Sequence, residues 1–401
     1  MRITFTGDLL AYHNLIKKSR TKNGFDFSNV FKRVKYLFNS SDYVVGNLEM
    51  PLCDNKRGPF TKMDMLFNTP HEFARDAKDC GFDMFTTANN HCMDFGMDGL
   101  INTIDILDRY GVDHTGTFKT SEEPRFLIKS INGIRIAFIS FTYSTNPNVN
   151  GYEINNNNDF HINLTRKQAP PIKRSFIKNN ALKFLYQLPL KIQNKIHPLY
   201  PDYSYLDCVS NDEINHTKKH KYLEKIKDII GTAKLDSDII VFCLHSGGQY
   251  NSSIGDYTKF LINEISNCGV DIIITNHPHC VLHSKFINNQ FVSYSLGNFC
   301  FTPNEGYYID GVFSDYGIIL HIDFEDQSSI EDIKFNVIKN IKTKNGKEFV
   351  ISTYDLYEKL ISDEHKNQLY LDNCAVISRF IGKKIETNIS LEYDYFKLMK
   401  S

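Results

Sequence analysis

Short apolar, β-branched runs recur along this chain, and longer stretches of helical period separate them. The runs are Ile3 to Thr6, Tyr43 to Val45, Met84 to Thr87, Ile134 to Phe141, Ile239 to Leu244, Asp271 to Thr275 and Phe291 to Tyr294. Runs of this length and composition read as strands, and their alternation with helical segments predicts an α/β fold whose sheets are covered by helices. "DGLINTIDILDRYG" (residues 98 to 111) has helical spacing and ends at Gly111, a C-terminal cap. "TKKHKYLEKIKDIIGTA" (residues 217 to 233) behaves alike, with Gly231 late in the run. The chain has 401 residues, and single cores stop growing near ~250–300 residues. One main domain at 1 to 325 is therefore expected, with a small C-terminal α+β addition at 326 to 401 that carries a strand at Ile333 to Ile338 and a helix at Tyr354 to Ile361. Residues 145 to 215 are rich in Asn and Pro and suit an insertion or lid. Its basic residues Lys167, Lys173 and Arg174 would suit an anionic substrate.

Several of these runs lead into unusual polarity. "ITFTGD" delivers Asp8, "DYVVGNLE" delivers Asn47 and Glu49, and "MFTTANNH" delivers Asn89, Asn90 and His91. "IIVFCLHSGG" delivers His245, "DIIITNHPH" delivers His277 and His279, and "FVSYSLGNF" delivers Asn298. In open α/β sheets, ligands bind outside the carboxyl ends of the strands. Taken one at a time, each residue has a bland explanation: "GD" is a turn signal, "HPH" a surface loop, and a lone His245 a hydrogen-bonded core histidine. Together they place two carboxylates, amide oxygens and three histidines at the same position of the same kind of element. That mixed oxygen and nitrogen donor set favours divalent transition metals, one or two ions of Mn, Fe or Zn, over Mg alone.

The rest of the composition excludes more than it proposes. Lys and Arg number 46 against 47 Asp and Glu, a formal net charge of −1, so nothing points to nucleic acid or an anionic membrane as partner. None of the nine cysteines forms a CxxC pair, which argues against a disulfide framework or a zinc ribbon. The chain opens directly on a strand-like run without a leader pattern, and no apolar stretch reaches the ~18 residues of a membrane span. A cytoplasmic protein is the expectation.

In order along the chain, Gly7-Asp8, "GNLEMPL", "ANNHCMDFG", "HSGGQY", "NHPHCVLHS" and "YSLGNF" resemble the bacterial capsule synthesis CapA/PgsA family, associated with poly-γ-glutamate, within the calcineurin-like metallophosphoesterase superfamily. The likeness covers roughly residues 1 to 300. It implies a four-layer α/β/β/α sandwich with a metal centre between the loops of its two sheets. Carried over by position, it implies that Asp8, Glu49 and His279 hold one ion, and that Glu49, Asn90, His245 and His277 hold the other. His91 matches the superfamily histidine that faces substrate, and Asp94 is placed to hold its imidazole. The pattern is not complete: Leu10 stands where the superfamily has a histidine, which leaves the first ion short of a ligand, and Asn47 stands where an aspartate is usual, which leaves open whether Asn47 or Glu49 bridges the two ions. The family often has Trp after the histidine that matches His245, Glu at the position of Gln249, and Gly before the paired histidines where this chain has Asn276.

The function this implies is metal-dependent hydrolysis, foremost of phosphoesters, with a metal-activated water as nucleophile and His91 as general acid. A non-catalytic subunit that binds an anionic polymer in capsule synthesis uses the same pocket, and Leu10 favours that alternative. A γ-glutamyl amide hydrolase would share every ligand.

Overall fold

The computed structural model describes residues 1–53, 66–171, 220–301, 311–325 and 329–401. It is a mixed α/β structure built on two large sheets. The strand Arg2–Leu9 runs through the middle of the first, parallel to Tyr43–Leu48 on one side and antiparallel to Tyr316–Phe324 on the other. Met84–Thr86 and Asp113–Thr115 continue the sheet in parallel beyond Tyr43–Leu48. The second sheet has the order Ser284–Ile287, Gln290–Ser293, Ile272–Asn276, Ile239–His245, Ile134–Thr142, Leu127–Ile131. Its four central strands are parallel.

Side chains alternate across each strand, so a strand buried on both sides shows two apolar faces. Phe5 and Val45 of the first sheet share one buried cluster with Phe138, Val241 and Ile274 of the second. The rings of Tyr43 and Phe138 meet across it at 5.5 Å. The residues of opposite parity, Ile139, Phe242, Leu244 and Ile273, instead pack in a cluster with Ile226, Ile230 and Ala233 of the helix His220–Asp236 and Leu261, Ile262 and Ile265 of Asp256–Asn267.

All seven strand expectations have counterparts, and Gly111 closes the helix Gly96–Tyr110 in a left-handed cap at φ 62°. The helix His220–Asp236 runs past Gly231, whose surroundings leave it open space. The strand expected at 333 to 338 is longer, Ile330–Lys342, and pairs antiparallel with Tyr316–Phe324. Glu348–Ser352 and Tyr393–Asp394 add to the same sheet. Among the elements without a counterpart in the expectations are the strand Tyr316–Phe324 and the 19-residue helix Asp363–Ile381. Of the segment 145 to 215, residues 172 to 215 lie outside the described residues, with Lys173 and Arg174 among them; Lys167 is exposed. The eight cysteines among the described residues are free thiols. Among these residues no helix is long and apolar enough to cross a membrane.

Two glycines let three backbone segments meet beside the carboxyl end of Arg2–Leu9. A Cβ on Gly7 would lie 2.0 Å from the Gly297 carbonyl oxygen, and one on Gly317 would lie 2.2 Å from that of Asn298. With neither Cβ present, the Asp8 amide donates to Gly297 O at 3.0 Å and Asp8 pairs with Asn298.

Candidate metal centre

Asp8 is the penultimate residue of Arg2–Leu9, and Glu49 directly follows Tyr43–Leu48. His245 ends Ile239–His245, and His277 directly follows Ile272–Asn276. Asn298 differs from the expectation: it opens the short strand Asn298–Cys300, well beyond the end of Gln290–Ser293. The carboxylates thus come from one sheet and the three histidines from the other.

These groups converge on Glu49. Its Oε1 lies 3.4 Å from His245 Nε2, 3.5 Å from His279 Nε2 and 4.0 Å from His277 Nδ1, while His279 Nδ1 is 3.4 Å from Asp8 Oδ2. Asn90 Oδ1 sits 2.8 Å from His245 Nε2. Two groups could each hold an ion, Glu49 with His245 and His277, and Asp8 with Glu49 and His279.

Whether these residues suit a cation can be judged from their unmet bonds. Both Glu49 oxygens and His277 Nδ1 are buried without a hydrogen-bond partner. A buried charge left uncompensated costs ~3–5 kcal/mol, so a carboxylate between three imidazoles is stable as a charge only with a positive partner. Burial drives the Glu49 carboxyl well above its usual range, helped by Asp8, and burial against the Asn47 hydrogen bond sets Asp8 at about 7. Burial likewise drives His245 and His277 well below the ordinary imidazole value and His279 to about 4. Neutral imidazoles with free lone pairs are the form that ligates metal. The donor set fits one or two divalent ions.

The remaining polar residues hold the donors in place. Asn47 donates to Asp8 Oδ1 at 2.7 Å, and its own Oδ1 accepts from Thr86 Oγ1 at 3.0 Å, which makes it a support for the aspartate. Asn298 Oδ1 lies 2.9 Å from His279 Nδ1, while its amide donates to the carbonyls of His279 and Ser314. Asn89 Nδ2 donates to Leu48 O, and its Oδ1 accepts from the His91 amide. His277 and His279 have positive φ, 111° and 54°, on either side of Pro278. Such backbone costs ~1–3 kcal/mol per residue and gathers at functional sites. In this conformation the His277 amide donates to Asp8 Oδ2 at 3.2 Å, a bond between the two sheets.

His91 Nδ1 lies 2.8 Å from Asp94 Oδ2, and that oxygen also accepts from the Phe67 amide at 2.8 Å. The Phe67 ring meets the imidazole edge-on at 4.6 Å. Burial raises the Asp94 carboxyl against the opposing pull of His91. Leu10 is buried in the apolar cluster and supplies no donor. Two contacts escaped the sequence, Phe67 at His91 and Tyr143, whose hydroxyl is 2.9 Å from His277 Nε2. Tyr143 directly follows the strand Ile134–Thr142, so the strand-end rule that picked out the ligands also covers it.

Fold and site together define an α/β protein with a buried carboxylate and histidine centre suited to divalent ions. Residues 2–303 match the family described as bacterial capsule synthesis protein PGA_cap, and the chain belongs to that family. It is similar to the PGA biosynthesis protein CapA of Bacillus subtilis (strain 168), at 25% identity over 300 residues, 74% of this chain and 62% of that one. It is also similar to the capsule biosynthesis protein CapA of Bacillus anthracis, at 23% identity over 304 residues, 75% of this chain and 60% of that one. The chain thus spans about three-fifths of the length of these relatives.

Proposed function

We propose that this protein is a metal-dependent hydrolase of an anionic substrate, foremost a phosphoester, on a four-layer sandwich of the metallophosphoesterase type. The observation that carries the reading is Glu49, buried with both oxygens unpartnered among three imidazoles. Asp8, Glu49 and His279 would hold one ion, and Glu49, Asn90, His245 and His277 the other. A divalent ion bound there supplies an acidified water and neutralises charge on the scissile group. The chain itself supplies the proton. His91, fixed through Nδ1 by Asp94, would deliver it to the leaving oxygen, and the Phe67 amide keeps the Asp94 carboxylate turned toward the ring.

The family, and its relatives' names in capsule and PGA biosynthesis, support an anionic polymer as the biological context. A second reading, a non-catalytic metal-containing subunit that binds such a polymer, is favoured by the apolar burial of Leu10, which leaves the Asp8 ion with fewer protein ligands. Elemental analysis of protein purified without chelator, followed by a panel of phosphomonoesters, phosphodiesters and γ-glutamyl peptides with added Mn²⁺, separates the readings. Metal with turnover supports the hydrolase, metal with polymer binding alone supports the subunit, and protein that takes up no ion refutes both.

A further inference from the structure

We propose that Tyr143 is a positioning residue for the metal centre, holding His277 so that its Nδ1, rather than its Nε2, meets the ion. This rests on the metal-centre reading above. An imidazole offers two nitrogens, and the partner of one decides what the other does. The Tyr143 hydroxyl lies 2.9 Å from His277 Nε2, whereas Nδ1 is buried, without a hydrogen-bond partner, and on the Glu49 side of the ring. His279 has the reverse arrangement, with Nδ1 at Asn298 and Nε2 toward Glu49. The two histidines of one short turn therefore present different nitrogens to the same carboxylate.

The phenol is held from several directions. Its backbone amide donates to the His245 carbonyl at 3.1 Å, and its own carbonyl accepts from Arg166 Nε and Gln168 Nε2, each at 3.1 Å. The Arg166 guanidinium lies 5.1 Å over the Tyr143 ring, and the ring is 4.8 Å from that of His277. A phenol both donates and accepts. It serves His277 without an ion by donating to Nε2, and with an ion it would accept a hydrogen bond from Nε2–H and leave the Nδ1 lone pair for the metal. A carbonyl in its place could do only the second.

Tyr143→Phe removes one oxygen atom and keeps the ring. The control is Tyr257→Phe, which also removes a buried hydroxyl beside Arg166; that hydroxyl bonds to Thr165 O and Oγ1. Both variants are titrated with Co²⁺ alone, whose visible absorption reports ligand geometry, and His277→Ala identifies the binding event that depends on His277. We expect Tyr143→Phe to weaken that event ~10–100-fold, as outer partners of ligating histidines do. Its absorption bands should shift, any second event should stay unchanged, and the ion-free melting temperature should match that of Tyr257→Phe. Wild-type affinity in Tyr143→Phe, or an equal loss in Tyr257→Phe, overturns the proposal while the metal centre stands. A wild-type protein that takes up no Co²⁺ overturns both.

Discussion

Gly7→Ala tests how the site is assembled without touching a ligand. The added Cβ would lie 2.0 Å from the Gly297 carbonyl oxygen and 2.6 Å from its carbon, both backbone atoms that no rotamer change can move away. Restoring the 3.4 Å of ordinary contact requires the segments to part by about 1.4 Å. The Asp8 amide bond to Gly297 O, now 3.0 Å, would then exceed hydrogen-bonding distance. Overpacking of this kind costs ~1–3 kcal/mol, and the lost bond adds ~1 kcal/mol, so a loss of about 2–4 kcal/mol is expected. Asp8 and Asn298 would separate with the backbone, and Asn298 orients His279, so metal content should fall as well. Gly231→Ala is the matched control. It lies inside a helix with open space around it, and should stabilise by ~0.5–1 kcal/mol. Urea unfolding of ion-free protein gives both values. A Gly7→Ala protein as stable as wild type, with unchanged metal uptake, would refute this account of the strand junction.

Metal affinity should rise with pH through about 7. Asp8 is raised to about 7, so below that value the ion must displace its proton, and affinity should fall by up to ~tenfold per pH unit; calorimetry at pH 6 and pH 8 in buffers of different ionisation enthalpy should find more protons released at pH 6. The sign for folding is the same group seen without metal: a carboxyl raised on folding binds its proton more tightly in the native state, so its contribution to ion-free stability falls as pH climbs from the ordinary carboxyl range toward 7. His277→Ala with His279→Ala should abolish metal binding, read by elemental analysis; wild-type content in the double variant would discard the ligand set. His91→Asn should keep the metal and lose ~10²–10⁴-fold in turnover on any phosphoester the wild type cleaves, and unchanged turnover would remove His91 from the proton-donor role.

Much of the fold could be read from local chemistry. Apolar β-branched runs became strands because both faces of the inner strands are buried, so no polar alternation obscured them. The strand Tyr316–Phe324 is interrupted by Gly317 and His321, which break its apolar run. The helix Asp363–Ile381 was obscured by composition: its first turns are polar, and its buried residues begin only at Leu369. At the site, donor types at strand ends were visible, as were Asp94, Asn47, Asn89 and Asn298 that support them, whereas the contacts from Tyr143 and Phe67 were not. Tyr143 reads as one more aromatic after an apolar run, and only the fold brings its hydroxyl to His277, 134 positions away. Gly7 suggested a turn; it lies within a strand, and what requires glycine is the Gly297 carbonyl pressed against it, which local sequence does not encode.

The division of ligands between the sheets has a mechanical meaning. Asp8 and Glu49 belong to one sheet and His245, His277 and His279 to the other, so an ion in the proposed centre would add to the few hydrogen bonds that join the two layers there, such as His277 to Asp8, His245 to Asn90 and His279 to Asn298. A ligand that binds only the folded state stabilises it by ~2.7 kcal/mol at a hundred times its dissociation constant. That gain would fall on the strand ends at the edge of the seam between the sheets. Chelation should then loosen the protein selectively: amide exchange should quicken first at the strand ends around Asp8, Glu49, His245 and His277, while the middles of Arg2–Leu9 and Ile239–His245 keep their protection. The ion would act as a rivet as well as a reagent, and its supply would set how tightly the protein's two halves are closed.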